Sequence, residues 1–344
     1  MTFEKTILIC LLAIGSIALV VQLTNPARIT IVSLDKEGTV LPIPTNSSQV
    51  KLASFELATE GRRDWGSVKS LTVKRTGLGS RKDFECLWWT IDGIQKIGDA
   101  MSIPVGDSVK FVFKESMSMY ARSTPQSKAT VITLMGAMES NCSAGAWNQF
   151  SITAIEADLP ITTQLPIDGP LTTTASQSVA RVTFSATGKD GTIPRHEKAV
   201  EIGAFCLDVD STNDQNILSP TIILRNVGSS RGMLLGKTSH MSLVVDGERQ
   251  PSFYINPIAD ETGDTLRIPL GNKIKNGEHH DYRIVADNDG LEYPETIQFC
   301  LENARDLEAT ETGSGGGVRV VGESKGMVTD PAKHVMLHTY QAGP

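Results

Sequence analysis

The sequence predicts an all-β protein: two tandem β-sandwich domains behind one N-terminal transmembrane helix. Three observations lead there. An uncharged apolar run, Thr6 to Leu23 (TILICLLAIGSIALVVQL), comes almost at once. Short segments of apolar/polar alternation then recur along the chain, separated by turn residues. No segment past the apolar run keeps a long 3.6-residue apolar period, the mark of an amphipathic helix.

As a helix rising ~1.5 Å per residue, the apolar run spans roughly 27 Å. That is short for a membrane span and long for the core of a signal peptide. Its one small-x-small cleavage site, Ser16-Ile17-Ala18, would leave LVVQL at the new N-terminus. A retained anchor over residues 1–25 is the expectation, with a cleaved signal and a pilin-type assembly helix as alternatives. Cys10 has no small residues before it and reads as a membrane-buried thiol rather than a lipidation site. Lys5 and Arg28 flank the run on its two sides, so charge does not fix its orientation. Pro26 ends the helix and pushes Asn25 toward an extended conformation.

The residues that follow are enough for two domains of ordinary size. A net charge of -7 argues against nucleic acid, which needs a basic face to neutralise phosphates. Hydrophobic residues at 40% allow a real core.

In the first domain, 26–160, Arg28 opens a strand pattern with Ile29, Ile31 and Ser33 on one face, and LPIPTNSS reads as a turn. Strands are expected over Val50 to Ala58, Val68 to Arg75, Phe84 to Ile91, Ser108 to Phe113, Ala129 to Met135 and Gln149 to Ile155. In the clearest, Val109, Phe111 and Phe113 share one face and Lys110, Val112 and Lys114 the other, the pattern of a sheet with one buried side. RTGLGS, DG and PVGD between strands are turn chemistry. Residues 161–178 lie in a Pro/Thr-rich stretch that reads as a semi-extended linker with an edge strand at each end.

The second domain, 179–326, repeats the landmarks of the first in order. LTVKRTG (Leu71 to Gly77) answers IILRNVG (Ile222 to Gly228), and WTIDG (Trp89 to Gly93) answers LVVDG (Leu243 to Gly247). VGDSVKFVF (Val105 to Phe113) answers NGEHHDYRIV (Asn276 to Val285). This order of strand, R-T-G turn, strand, D-G and P-x-G resembles tandem immunoglobulin-like β-sandwich repeats of membrane-anchored bacterial surface proteins, S-layer-like or pilus-associated. The resemblance covers roughly 50–115 and 180–285, and it implies structural, stalk or adhesive roles. The more charged strands and the pair Trp88-Trp89 depart from the threonine-rich pattern of such repeats. The tail, 327–344, carries no second apolar anchor and no sortase-type motif.

Four cysteines lie beyond the anchor, Cys86 and Cys142 before the linker and Cys206 and Cys300 after it, which fits one disulfide per domain. Such bridges would place the body of the protein outside the cytoplasm; four reduced core cysteines are the alternative. Asp208, Asp210 and Asp214 in DVDSTND, with Asp287 and Asp289 in ADNDGLE, are oxygen donors of the kind Ca²⁺ prefers, although Asp-rich loops also simply make turns. Neither loop holds the full EF-hand set. Trp88 and Trp89 are adjacent, so a strand sends them to opposite faces. One of them is then available to a glycan or a partner subunit, or to packing against the linker or other domain.

Gly228-Ser229-Ser230-Arg231-Gly232 fits G-x-S-x-G but joins two strand-like runs, so it reads as a hairpin turn. His334 and His338 lack the glutamate of a metalloprotease motif, and His279 and His280 read as exposed polar residues. No acid/base or nucleophile set converges in the sequence, so no enzyme is expected. The expectation is a membrane-anchored extracytoplasmic protein with a structural or adhesive role, which meets the membrane through Thr6 to Leu23. Self-association or a cell-surface protein or glycan partner fits that role. The alternatives are a pilin-like filament subunit and a calcium-dependent carbohydrate- or protein-binding module.

Overall fold

A computed structural model describes residues 27–343, apart from 36–37, 61–64, 93–94, 121–128, 212–215, 231–237, 255, 259–264, 313–316 and 323–334. Among the described residues no helix is long and apolar enough to cross a membrane. The run Thr6 to Leu23 lies outside them, as do Asp214 and His334. The chain forms two units. The first takes residues up to Pro42, Lys51–Gly136 and Ser143–Thr174; the second takes Ile43–Val50, Ala137–Cys142 and the chain from Ala175 onward.

Alternation in the first half becomes ten strands. These are β1 (Arg28–Ser33), β2 (Val40–Thr45), β3 (Val50–Glu60), β4 (Trp65–Gly77) and β5 (Phe84–Ile91), then β6 (Gln95–Met101), β7 (Ser108–Tyr120), β8 (Thr130–Met138), β9 (Trp147–Ala157) and β10 (Ile167–Ser178). They make two five-stranded sheets, β1-β3-β8-β5-β6 and β2-β10-β9-β4-β7. All six strands expected between 50 and 155 are present, and Val109, Phe111 and Phe113 are buried while Lys110, Val112 and Lys114 are exposed. Trp89 stands at the centre of the core, its ring 6.1 Å from those of Phe55 and Phe111.

Two segments differ from their sequence reading. Val40–Thr45, overlapping the expected turn, is an edge strand; an edge position tolerates Pro42 and Pro44, which have no N–H to give a neighbour. The C-terminal part of the expected linker is β10, paired to β9 as Ile167 with Ile152 and Leu171 with Gln149. Its threonines are β-branched strand formers, and a register shift between Asp168 and Leu171 absorbs Gly169 and Pro170.

The second unit begins with β11 (Arg181–Ala186), β12 (Gly191–Ile193), β13 (Val200–Asp210), β14 (Ile217–Asn226) and β15 (Thr238–Val245). It continues with β16 (Glu248–Tyr254), β17 (Asn256–Ile258), β18 (Thr265–Pro269), β19 (Lys273–Ile274), β20 (His279–Asn288) and β21 (Thr296–Ile297). The last strands are β22 (Phe299–Leu301), β23 (Leu307–Glu311), β24 (Arg319–Gly322), β25 (Val335–Met336) and β26 (Tyr340–Ala342). One sheet runs β16-β15-β20-β13-β11-β24, and a second runs β17-β18-β14-β22-β25 with β19 and β23 also on β14. A small third sheet is β12-β26-β21. Their shared core includes Phe184, Phe205, Leu207, Tyr282, Leu224 and Phe299, with Phe205 and Tyr282 stacked at 5.1 Å.

The paired landmarks recur locally. Asp92 and Asp246, both at positive φ, turn the hairpins β5-β6 and β15-β16. Gly77 and Gly228 each abut a backbone carbonyl, where an added Cβ would lie 2.3 Å from Trp147 O or Thr296 O. Sheet partners differ, however: β4 pairs with β7, whereas β14 and β20 lie in different sheets.

The second unit also holds a segment from early in the chain. Ser48 N–H donates to Val318 O, Ser47 Oγ–H to Gly317 O, and Gly317 N–H to Gln49 O. A Cβ on Gly317 would meet Gln49 O at 2.3 Å. Gly317→Val is therefore expected to lower the stability of the second unit by about 1–3 kcal/mol, the usual range for forced overpacking. A chemical denaturation series on the full chain checks this.

The expected disulfides are absent. Cys86, Cys142, Cys206 and Cys300 are all thiols. Cys206 alternates with core residues Phe205 and Leu207 in one sheet, and Cys300 with Phe299 and Leu301 in the other. Both thiols thus point away from the core that the two sheets share, and no bridge can cross it. Cys142 Sγ–H donates to Glu139 O, 2.9 Å away. Even pairing in number is not pairing in space, and the cysteines no longer bear on membrane orientation. Alkylation in denaturant without reductant is expected to label all four. In the native chain Cys300, buried and with its thiol pushed up to about 12 by desolvation, is expected to react far more slowly.

Candidate functional site

Polar chemistry in the second unit concentrates on the outward face of the β13-β20 pair. Val200–Asp210 reads VEIGAFCLDVD, and past the register shift at Glu201/Gly203 its alternation sends Phe205, Leu207 and Val209 inward. Cys206 and Asp208 therefore face outward. Across the antiparallel ladder Cys206 lies opposite Asp281, and Asp208 opposite His279. Tyr282 and Ile284 take the inward positions of β20. Four chemistry-bearing side chains, from segments more than seventy residues apart, so form a two-by-two array.

His279 Nδ1 pairs with Asp208 Oδ1 at 2.7 Å, and its Nε2 lies 3.7 Å from Asp281 Oδ1. Cys206 is buried at the floor of the array, while the side chains of His279 and Asp281 are 53% and 56% exposed at its rim. The hydrogen bond to Asp208 raises the pKa of His279 against an opposing desolvation, with the charges of Asp208 and Asp281 adding to the rise. Next to the array His280 Nδ1 pairs with Asp246 Oδ2 at 2.6 Å, and Asp246 Oδ1 accepts from Asp281 N–H. Burial works to raise the Asp246 carboxyl, but His280 and that N–H outweigh it and hold the group below its ordinary value.

Two further histidine–carboxylate pairs lie elsewhere in the unit. His240 faces Asp287, whose Oδ1 accepts from Ala199 N–H, and His338 faces Asp190, whose Oδ1 accepts from Thr339 N–H. In each aspartate the backbone N–H is the leading cause of a lowered pKa. A group depressed on folding contributes stability above its unfolded pKa of about 4 and loses it as pH falls through the folded value. The melting temperature of the second unit is thus expected to fall below about pH 4. Asp287→Asn should flatten that acid limb, which melting curves across pH would show.

The residues singled out in the sequence scatter. Asp208 and Asp210 sit on strand β13 rather than in a loop. Asp287 is on β20 near its far end, eight residues and roughly 27 Å of strand from the Asp208 contact. Asp289 is exposed just beyond it. The two acidic stretches do not form one cluster, and Asp287 is already engaged by Ala199 and His240. Trp88 and Trp89 are 3% and 0% exposed, so neither offers the surface contact expected of one of them. Strand β5 is covered on both faces, and alternation along one strand does not reveal a second covering layer. Ser230, the would-be nucleophile, is fully buried and accepts from Asn226 Nδ2. What sequence reading missed is the meeting of Cys206 with His279; only the β13-β20 register creates it.

No known protein family matches this chain, and no curated protein does. Solved structures with similarity to it include bacterial adhesin domains. The C-terminal domain of the Streptococcus agalactiae AgI/II polypeptide BspA is 10% identical over 90% of this chain and 99% of its own, with a TM-score of 0.22. The CupB6 tip adhesin of Pseudomonas aeruginosa is 10% identical over 93% and 98%, with a TM-score of 0.20. The S. aureus collagen adhesin is 11% identical over 93% of each chain, also at 0.20. At such TM-scores the likeness carries no argument, and the all-β architecture rests on the strands described above.

Proposed function

We propose that this chain is a membrane-anchored extracytoplasmic surface protein, held by Thr6 to Leu23, that acts by structure or adhesion rather than by turnover. The observation that carries the reading is the build of the two units. Each is a set of paired strands over a side-chain core, and in the second unit His240, His279 and His280 meet carboxylates on sheet faces and strand ends. Such a build offers rigid faces and loops to a protein or glycan partner or to a second copy. The uncharged run before it supplies the tether.

The test is a strain lacking the gene, compared with the same strain complemented by the full chain. The reading expects loss of surface attachment or of envelope integrity on deletion, restored by the chain. Unchanged attachment and integrity would contradict it.

A further inference from the structure

We propose that Cys206, His279 and Asp281 bind one divalent transition ion of the zinc class, with Asp208 as the residue that positions His279. Calcium is not the ion this face suits: thiolate and imidazole are donors for zinc, cobalt or nickel, whereas Ca²⁺ takes oxygen.

The geometry favours a site over a plain ion-pair cluster. The donor atoms of Cys206, His279 and Asp281 all lie within 4.8 Å of one another. Ligands of one tetrahedral ion, at bonds of ~2.0–2.3 Å, stand about 3.3–3.8 Å apart, so small side-chain rotations close the set. His279 Nε2 and Asp281 Oδ1, 3.7 Å apart, are too far for a hydrogen bond but at the spacing of two ligands on one ion. Asp208 meanwhile takes the other ring nitrogen at 2.7 Å. That contact puts the ring proton on Nδ1 and leaves the Nε2 lone pair directed at the array, the carboxylate–histidine–metal arrangement of natural zinc sites. The rigid β13-β20 ladder fixes the backbone of all four residues. Water completes the coordination on the exposed side, where the rim is open. On binding, the Cys206 thiol gives its proton to solvent, as does His279 Nε2 where it carries one, and three ligand bonds, S–metal, N–metal and O–metal from Asp281, replace three metal–water bonds of the incoming ion.

The test is a cobalt titration of the full chain in mild detergent and a phosphine reductant. The site predicts a thiolate-to-cobalt charge-transfer band that saturates at one ion and is displaced by zinc. His279→Ala and Asp281→Ala, both at exposed positions that the fold tolerates, should each weaken binding at least tenfold. Cys206→Ala should remove the band. Asp208→Asn should weaken binding by about 10–100-fold with the band retained, as expected of a positioning residue. His240→Ala, on β15 beside the other end of β20, should change nothing. Cobalt binding without a charge-transfer band would overturn the proposal. So would His279→Ala binding as tightly as the parent chain.

Discussion

Trp89→Ala is expected to lower the stability of the first unit by about 3–5 kcal/mol, the range for deleting a large buried aromatic. Trp89 is 0% exposed and contacts Phe55 and Phe111, which belong to different sheets, so its loss opens a cavity where the sheets meet. Trp89→Phe should cost far less. The indole Nε1 is buried without a hydrogen-bond partner, and phenylalanine removes that orphan donor along with part of the volume. Urea denaturation of the two variants beside the parent gives both values. Equal losses would contradict a cost set by the volume removed.

Arg75→Met is expected to destabilise the same unit by about 3 kcal/mol, near the lower end for breaking a buried charged network, because its partner Asp107 is a third exposed. The guanidinium is 8% exposed and donates to Asp107 Oδ1 at 2.9 Å, Asn148 Oδ1 at 2.6 Å and Gly79 O at 2.5 Å. Methionine fills similar space and leaves those acceptors unpaired. Asp107→Asn keeps a side chain that tolerates the positive φ of 58° and loses only the charge, so its cost should be about 1–2 kcal/mol. A double-mutant cycle of the two reports their coupling.

How much was legible beforehand depends on what each signal encodes. Alternation encodes one buried face, and it located β3, β4, β5, β7, β8 and β9. It failed at β2, where Pro42 and Pro44 mimic a turn but suit an edge, and at β10, where threonine composition resembled a spacer. It also failed at Trp88, because a strand covered on both faces buries both neighbours. The R-T-G motif read as turn chemistry, yet Arg75 is the hub of a buried polar network. Cysteine parity suggested bridges, yet Cys206 and Cys300 face away from the core that their two sheets share. Three residues of the candidate site carry separate sequence signals: Cys206 for a bridge, Asp208 for calcium, His279 as surface. Their meeting depends on pairing across some seventy residues of sequence, which no local pattern contains.

The most direct test of the central claim, an anchored chain with its body outside, is impermeant labelling of intact cells. A C-terminal epitope tag on the full chain would be probed with antibody and with external protease, before and after lysis, and Thr6 to Leu23 would be deleted in a parallel strain. The account predicts a tag that is accessible and protease-sensitive on intact cells, and that leaves the membrane fraction when the apolar run is deleted. A tag reached only after lysis would contradict it.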